Sequence, residues 1–283
     1  MNKFIQENNL IGNIKKLSGG LSNDIYLIDN KYIWKEIKNN YLFDHTNEIE
    51  ILKSIDYNRF PVKLYQFSES SICYSFIEGE NITLEYFRNN LTNIIQLVKD
   101  YHNCQSNVPQ FWKSIIPKWI DLLPNLVYQI DIDKVKKIYE ELNVMMNIFE
   151  KDKLVLCHHD VHSGNIITKN DKLYLIDLEF SFNNYIYVEL GNIVCEYYTD
   201  YSNEIYNYNN ITAEIKVKVL KEYGIEIDFK NIYKLELGIL ISHFYWLIWG
   251  ILVSKKQMDN KFNYLKFAKN RYDQLMLYFE HIL

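Results

Sequence analysis

CHHDVHSGN, residues 157–165, brings three histidines and an aspartate close together: His158, His159, Asp160 and His162. Such a run reads as a metal site, a nucleic-acid surface, or a loop that moves a proton. Structural zinc asks for four ligands converging on a tetrahedral centre. Successive residues on a short strand or loop seldom converge in that way, and no fourth ligand stands nearby. His158 is therefore expected to hold the loop by hydrogen bonds. His159 and His162 are expected to be exposed, or His162 to face a substrate.

The residues that follow narrow the remaining readings. Asn165 comes five positions after Asp160. Twelve positions further, Asp177 ends the apolar run KLYLIDLEF (172–180), and Glu179 lies two beyond it. An aspartate, an asparagine five residues later and a strand-ending aspartate form the arrangement that kinases use for phosphoryl transfer. The chemistry requires those residue types. A carboxylate near the attacking hydroxyl accepts its proton. An amide oxygen and a second carboxylate suit Mg²⁺, a hard cation that prefers oxygen ligands. The metal bridges the phosphates and neutralises charge that develops in the transfer.

The rest of the chain is compatible with an enzyme of this kind. Its 283 residues are enough for one large domain or two lobes with a sizeable core. Hydrophobic residues make up 48% and charged residues 24%, a globular balance. The net charge of -5 lacks the basic excess of a general nucleic-acid binder. Cys73, Cys104, Cys157 and Cys195 show no CxxC spacing, which sets aside a zinc ribbon and a disulfide framework and fits a reducing cytoplasm. MNKFIQENNLIG has no apolar core of signal-peptide length. LGILISHFYWLIWGILV (237–253) is apolar, but it is interrupted by Ser242 and His243. It is also shorter than the ~20 residues of a spanning helix, so it predicts a buried core helix and no stable membrane insertion.

The first 77 residues predict strands with one helix. NIKKL (13–17), DIYLID (24–29) and KYIWKEI (31–37) read as strands, the last two joined at Asp29-Asn30 as a hairpin. HTNEIEILKSI carries Ile49, Leu52 and Ile55 at helical spacing, and VKLYQF (62–67) and ICYSFI (72–77) return to strand. EGEN (78–81) reads as a connector. From there to about residue 153 the pattern is helical. LVLCHHD then gives a short strand and a loop, KLYLIDLEF an apolar strand, and the chain from about residue 188 reads as helix. The expected architecture is α+β and two-lobed: residues 1–77 as a small antiparallel β-sheet lobe that binds nucleotide, residues 78–283 as a larger, mainly helical catalytic and substrate-binding lobe.

Two features of the first lobe bear on phosphate binding. SGGLSN (18–23) lies between two strands, so it is neither a Rossmann fingerprint nor a P-loop. It reads either as an ordinary hairpin turn or as a turn whose glycines let backbone approach a phosphate, with Ser22 and Asn23 facing it. Lys35 follows in the next strand. A carboxylate on the following helix, Glu48 or Glu50, would orient such a lysine towards nucleotide phosphates. Glu48 is the expected partner.

CHHDVHSGNIITKNDKLYLIDLEFSFNNYIYVELGNIVCEY (157–197) resembles the core of choline and ethanolamine kinases. That family has a His-Asn-Asp-x-x-x-x-Asn loop, an Ile-Asp-x-Glu strand, and an Asn-Tyr segment leading to Asp-x-x-Asn and a Glu. SHFYWLIWGI (242–251) and FNYLKFAKNRYDQ (262–274) are similar to the family as well, and SGGLSN fits the same frame. The resemblance implies a protein-kinase-like fold and ATP- and Mg²⁺-dependent phosphorylation of choline or ethanolamine, the first step of phospholipid head-group synthesis. It implies Asp160 as catalytic base and Asn165 and Asp177 as magnesium ligands, with Glu179 assisting or facing substrate. Gly19, Gly20, Ser22 and Asn23 would line the phosphate end of ATP, with Lys35 where the family often has arginine. Phe76 and Ile77, in the connector, would hold adenine through backbone groups. Three residues depart from the pattern: His159 stands for the usual Asn, Glu189 for the usual Asp, and His162 for a polar residue near the substrate.

Trp246 and Trp249 fall on one helix face, with Phe262, Tyr264 and Phe267 in the next segment. Aromatic stripes at this spacing usually form core. They also suit a cage for an ammonium group, because ring faces attract cations. The resemblance favours the cage, with Glu196 adding charge complementarity and Phe267 replacing a tyrosine. The expected partner is thus a small amino alcohol and no nucleic acid. The rival readings are a kinase of another small alcohol, such as an aminoglycoside or a sugar, and a catalytically silent nucleotide-binding module.

Overall fold

The computed structural model of the protein describes residues 1–17, 23–37, 42, 45–56, 59–255 and 262–279. A short helix, α1 (Asn2–Glu7), precedes strands β1 (Ile14–Lys16), β2 (Asp24–Ile28) and β3 (Tyr32–Glu36). Helix α2 (Thr46–Ser54) and strands β4 (Leu64–Ser68) and β5 (Ser71–Ser75) follow. The five strands form one antiparallel sheet in the order β1-β2-β3-β5-β4. The β2–β3 hairpin closes on Asp29 and Asn30, whose φ values of 50° and 54° give the paired left-handed turn that matches strand twist.

Side-chain alternation gives this sheet two distinct faces. Ile25, Ile33 and Lys35 point to the side that lines the cavity described below or meets its acidic residues. Tyr32 and Trp34 point to the other side, where α1 covers them: the Phe4 ring lies 5.4 Å from Tyr32 and 5.8 Å from Trp34. The sequence reading had no helix before β1. Six residues with one buried apolar side chain carry too little periodicity to announce one.

The remaining elements are β6 (Glu80–Asn81), α3 (Leu84–Asn89), α4 (Leu91–His102), α5 (Phe111–Ser114), α6 (Ile116–Asp121), α7 (Ile132–Met145) and β7 (Leu154–Cys157). After them come β8 (Ile166–Lys169), β9 (Lys172–Leu175), β10 (Phe182–Tyr185), α8 (Ile186–Tyr197), β11 (Thr199–Asp200) and β12 (Ile205–Tyr206). The last three are α9 (Ala213–Tyr223), α10 (Phe229–Ser254) and α11 (Tyr264–Phe279). Side-chain oxygens of Thr83, Asp131, Thr212 and Asp228 cap α3, α7, α9 and α10 by accepting a backbone N–H of the first turn. The architecture is α+β: a small antiparallel sheet with α2 beside it, and a larger, mainly helical part.

Two expectations need correction here. The strand expected over 172–180 stops at Leu175, because Asp177 adopts a left-handed backbone (φ 61°) and Leu178–Phe180 form a 3-10 turn. The chain after 188 is not all helix, since β11 and β12 pair as a small hairpin after α8.

Helix α10 is long and apolar enough, by length and composition, to cross a membrane, yet 94% of its apolar window is buried inside the protein. It packs against α8 and α11. A Cβ on Gly238 would lie 1.9 Å from Tyr187 O, so the α8 and α10 backbones touch where only glycine fits. That close crossing fixes α8, which carries Glu189 and Glu196, against α10, which carries Trp246 and Trp249.

Candidate active site

The loop between β7 and β8 is held from below by buried polar contacts. Glu189, fully buried on α8, accepts the backbone N–H groups of both His158 and His159, the latter at 2.8 Å. His102 Nε2 lies 3.5 Å from the same carboxylate. Burial acts against the Glu189 charge, but His102, His159 and His158 outweigh it and hold the carboxyl below its usual pKa. His158 accepts from Asp160 N at 3.3 Å through Nδ1 and donates from Nε2 to Ile176 O at 2.9 Å. His159 donates from Nδ1 to Phe180 O at 3.0 Å and accepts from Asn184 Nδ2 at 2.9 Å.

These contacts occupy both ring nitrogens of His158 and His159, which sets the zinc reading aside. They also correct the expected exposure of His159, which is fully buried. Burial lowers its pKa to about 4, so it is a neutral structural histidine. Its backbone is left-handed (φ 64°), a conformation in which Asn and His are enriched among non-glycine residues. Among the described residues, His102, Cys157 and Glu189 have metal-ligand spacing. There the Glu189 oxygens are occupied by the loop amides, and burial holds the Cys157 thiol protonated.

Above this anchor, Asp160, Asn165 and Asp177 come together. Asn165 Nδ2 donates to Asp160 Oδ2 at 2.7 Å and to Asp160 O at 3.0 Å. Ile176 N donates to Asn165 O at 3.0 Å, tying the loop to the segment that carries Asp177. His162 accepts from Gly164 N at 3.1 Å through Nδ1, leaving its proton on Nε2, 3.7 Å from Asp160 Oδ2. Burial opposes both charges. The mutual attraction nevertheless lowers the Asp160 pKa and raises that of His162.

On the sheet side, Lys35 is 1% exposed and meets three carboxylates. Its Nζ lies 3.0 Å from Glu48 Oε2, 3.0 Å from Glu179 Oε2 and 3.4 Å from Asp177 Oδ1. Glu50 points elsewhere and pairs with Lys53 at 2.8 Å. Burial pulls the Lys35 pKa down, but Glu179, Glu48 and Asp177 hold it well above the usual lysine value. Glu179 also accepts from Asn23 Nδ2 at 2.9 Å, so it sits with the sheet residues and not at the aromatic end. Burial pushes its pKa up to about 7. Gly19, Gly20 and Ser22 lie outside the described residues.

Glu48, Glu179, Asp177, Asp160, Asn165 and His162 line a cavity of about 640 Å³, with Lys35 and Asn23 outside its lining. One end is apolar, between Leu17, Ile25, Ile33, Val62, Ile167 and Ile176, beside Phe76 and Ile77 of the connector. The Phe76 amide is taken by Lys31 O at 2.8 Å, so a base docked there would have to meet other backbone groups of the connector. Asp160, Asn165 and Asp177 line the middle. The far end is formed by His162, Tyr201, Trp246, Trp249, Phe262 and Phe267. The Trp246 and Trp249 rings meet edge to face at 5.2 Å and 90°. Tyr264 packs 5.7 Å from Trp249, and Glu196 pairs with Arg271, both behind this wall and outside the cavity lining.

Residues 14–276 match the family model for choline/ethanolamine kinase. The chain belongs to the choline/ethanolamine kinase family. It is 28% identical to probable ethanolamine kinase A of Dictyostelium discoideum over 92% of this chain and 84% of that protein. It is 26% identical to ethanolamine kinase 1 of Homo sapiens over 84% of this chain, and spans 59% of that longer protein. Its fold is similar to that of a choline kinase from Streptococcus pneumoniae, with a TM-score of 0.78, 17% identity, and coverage of 98% of this chain and 97% of the other. The kinase fold places the five-stranded sheet over the helical lobe, with the cavity at their junction.

For a choline/ethanolamine kinase, three buried groups around this site went unassigned in the sequence reading. Glu189, a departure from the family pattern in the sequence, anchors the loop that carries Asp160. Asn192 Oδ1 accepts from Trp246 Nε1 and from Ser242 Oγ, both at 2.9 Å, and so orients the indole. Arg271 was not singled out at all. The available signal was a charge inside an apolar stripe: Arg271 follows Tyr264, Phe267 and Ala268 at helical spacing.

Proposed function

We propose that the protein transfers the γ-phosphoryl group of ATP to the hydroxyl of choline or ethanolamine, with residues 1–77 as the nucleotide lobe and 78–283 as the catalytic and substrate lobe. The observation that carries this reading is one cavity lined by an apolar slot at one end, Asp160, Asn165 and Asp177 in the middle, and an aromatic cage at the other. Each part fits one piece of the reaction.

Adenine suits the slot between Ile25, Ile33 and Ile176, and Lys35, oriented by Glu48, suits the phosphates. Trp246, Trp249 and Phe267 offer ring faces to an ammonium group. A two-carbon amino alcohol held there directs its hydroxyl towards Asp160. Asp160 is ionised, because His162 and Asn165 stabilise its carboxylate, so it can accept the hydroxyl proton at an oxygen. Asn165 holds that carboxylate through its amide nitrogen, which turns its amide oxygen away from Asp160.

The donor set fits Mg²⁺. Asn165 and Asp177 both line the cavity, and a hard cation prefers oxygen ligands of the kind their amide and carboxylate offer. Bound there, Mg²⁺ would neutralise charge on the phosphates. The left-handed backbone at Asp177 sets its carboxylate at the end of the β9 segment, beside Lys35.

Release of ADP from ATP that depends on added choline or ethanolamine tests this reading. Amino-alcohol-dependent release supports it. Release driven only by an aminoglycoside or a sugar would replace it with the reading of a different alcohol kinase.

A further inference from the structure

The peptide group between His159 and Asp160 leads directly into the proposed base, and two side chains hold it. Its N–H donates to His158 Nδ1 at 3.3 Å, a long contact made within the same loop. Its carbonyl, His159 O, accepts from the hydroxyl of Tyr245 at 2.9 Å. Tyr245 is fully buried on α10. Burial raises its pKa well above the usual tyrosine value, so the hydroxyl keeps the proton it donates. Tyr245 does not line the cavity, so it acts on the reaction only through what it holds.

His159 has a left-handed backbone (φ 64°), a conformation uncommon for residues other than glycine. The next torsion along the chain sets where the Asp160 carboxylate points, and a held carbonyl fixes that torsion. Glu189, from α8, fixes the amides of His158 and His159 and stops one peptide short of Asp160. Asn165 holds the carboxylate and carbonyl of Asp160, but it belongs to the same loop and moves with it. Tyr245 ties the last peptide to a separate element, the buried core helix. Its ring is wedged in place, 5.5 Å from Phe111 and 6.0 Å from His159, both edge to face. Its neighbour Trp246 lines the aromatic end of the cavity. One helix therefore carries both a support of the base and a wall of the cage.

We infer that Tyr245 is a positioning residue for phosphoryl transfer: its hydroxyl, anchored on α10, holds the His159–Asp160 peptide so that the Asp160 carboxylate meets the substrate hydroxyl. The inference rests on the amino-alcohol reading above and deepens it. Catalysis by a placed base falls steeply with small displacements. Loss of the Tyr245 hydroxyl takes this donor from a buried carbonyl, and the peptide turns to seek another. The apolar slot and the aromatic cage do not depend on that peptide.

The test is Tyr245→Phe, which removes one oxygen and keeps the ring. Single-turnover rates are measured with enzyme in excess over Mg-ATP and with the amino alcohol that the wild type phosphorylates, alongside steady-state KM values. Tyr245→Phe is expected to slow the single turnover about tenfold, with both KM values within about twofold of wild type. In an Asp160→Asn background the same substitution is expected to cost no more than about twofold, because groups that act as one unit are not additive. A merely structural role would lower Tm and leave the rate per folded enzyme at the wild-type value, or lower it by one factor in both backgrounds. Either result overturns the inference. So does a rise in the amino-alcohol KM at an unchanged single-turnover rate, which would put Tyr245 behind Trp246 and not behind Asp160. Failure of Tyr245→Phe to fold overturns it as well, because the hydroxyl would then be a requirement of the fold. Turnover of neither amino alcohol by the wild type would instead sink the functional reading itself.

Discussion

Asn165 turns its amide nitrogen onto Asp160, donating to the carboxylate at 2.7 Å and to the main-chain carbonyl at 3.0 Å. One side chain thereby fixes the proposed base and frees its own oxygen for a cation. The five-residue spacing is what allows this, because the intervening 3-10 turn, Ser163–Asn165, brings Asn165 back over Asp160.

Asp160→Asn keeps the shape of that contact and removes the proton acceptor. We expect kcat to fall about 10²–10⁴-fold, the usual worth of general base catalysis. Circular dichroism melts should place Tm within a few degrees of the wild type. Turnover within threefold of wild type would remove Asp160 from the base role.

Lys35→Met leaves Glu48 and Glu179 buried beside an apolar side chain. Breaking a buried pair on one side costs about 3–5 kcal/mol, read as a shift of the urea midpoint. Lys35→Met together with Glu48→Gln should recover part of that loss without recovering ATP affinity. Equal midpoints for single and double variants would show that the carboxylates are not coupled through Lys35.

Burial gives His159 and Glu179 opposite effects on stability between pH 7 and 4.5, because the folded chain keeps His159 neutral and holds a proton on Glu179. The His159 pKa is lowered by burial from 6.5 to about 4. Between those values the unfolded chain takes up a proton that the folded chain does not. The His159 contribution is therefore complete above pH 6.5 and falls as pH drops towards 4, by about 3 kcal/mol. The difference between wild type and a His159 variant isolates it from Glu179. Glu189 adds a second loss, since its depressed pKa makes stability fall from about pH 4.5 downwards. His159→Asn suits the left-handed backbone and should flatten the upper window only. Urea titrations from pH 7 to 4.5 read this directly, and an unchanged slope in His159→Asn would refute the assignment.

Trp249→Leu opens one wall of the cage while leaving the apolar slot intact. A single cation–π contact is worth about 0.5–2 kcal/mol, so the KM for the amino alcohol should rise about 2–30-fold with the KM for ATP unchanged. Parallel loss for both substrates would make Trp249 a core residue and nothing more.

What was legible in the sequence was local. Asp29-Asn30 between two β runs announced its hairpin, and Ile49, Leu52 and Ile55 announced α2. Asp160, Asn165 and Asp177 stood at informative spacing, because the loop and the segment after β9 lie adjacent in chain and in space. The unseen features join residues far apart. Glu189 reaches the loop from 30 positions beyond His159, and Arg271 meets Glu196 across 75. Periodicity identifies the face a helix buries, but not which buried charge answers another. The 3-10 turn after Asp177 was hidden for a related reason. The apolar run continues through Leu178 and Phe180, and only the backbone at Asp177 shows that the strand has ended.

The most direct test of the central claim is phosphorus NMR of the purified protein incubated with Mg-ATP and choline, and separately with ethanolamine. The account predicts loss of the γ-phosphate signal with growth of a phosphomonoester signal in at least one mixture, and neither change with Asp160→Asn. ATP consumed with inorganic phosphate as the only new signal, or no ATP consumed at all, would contradict it.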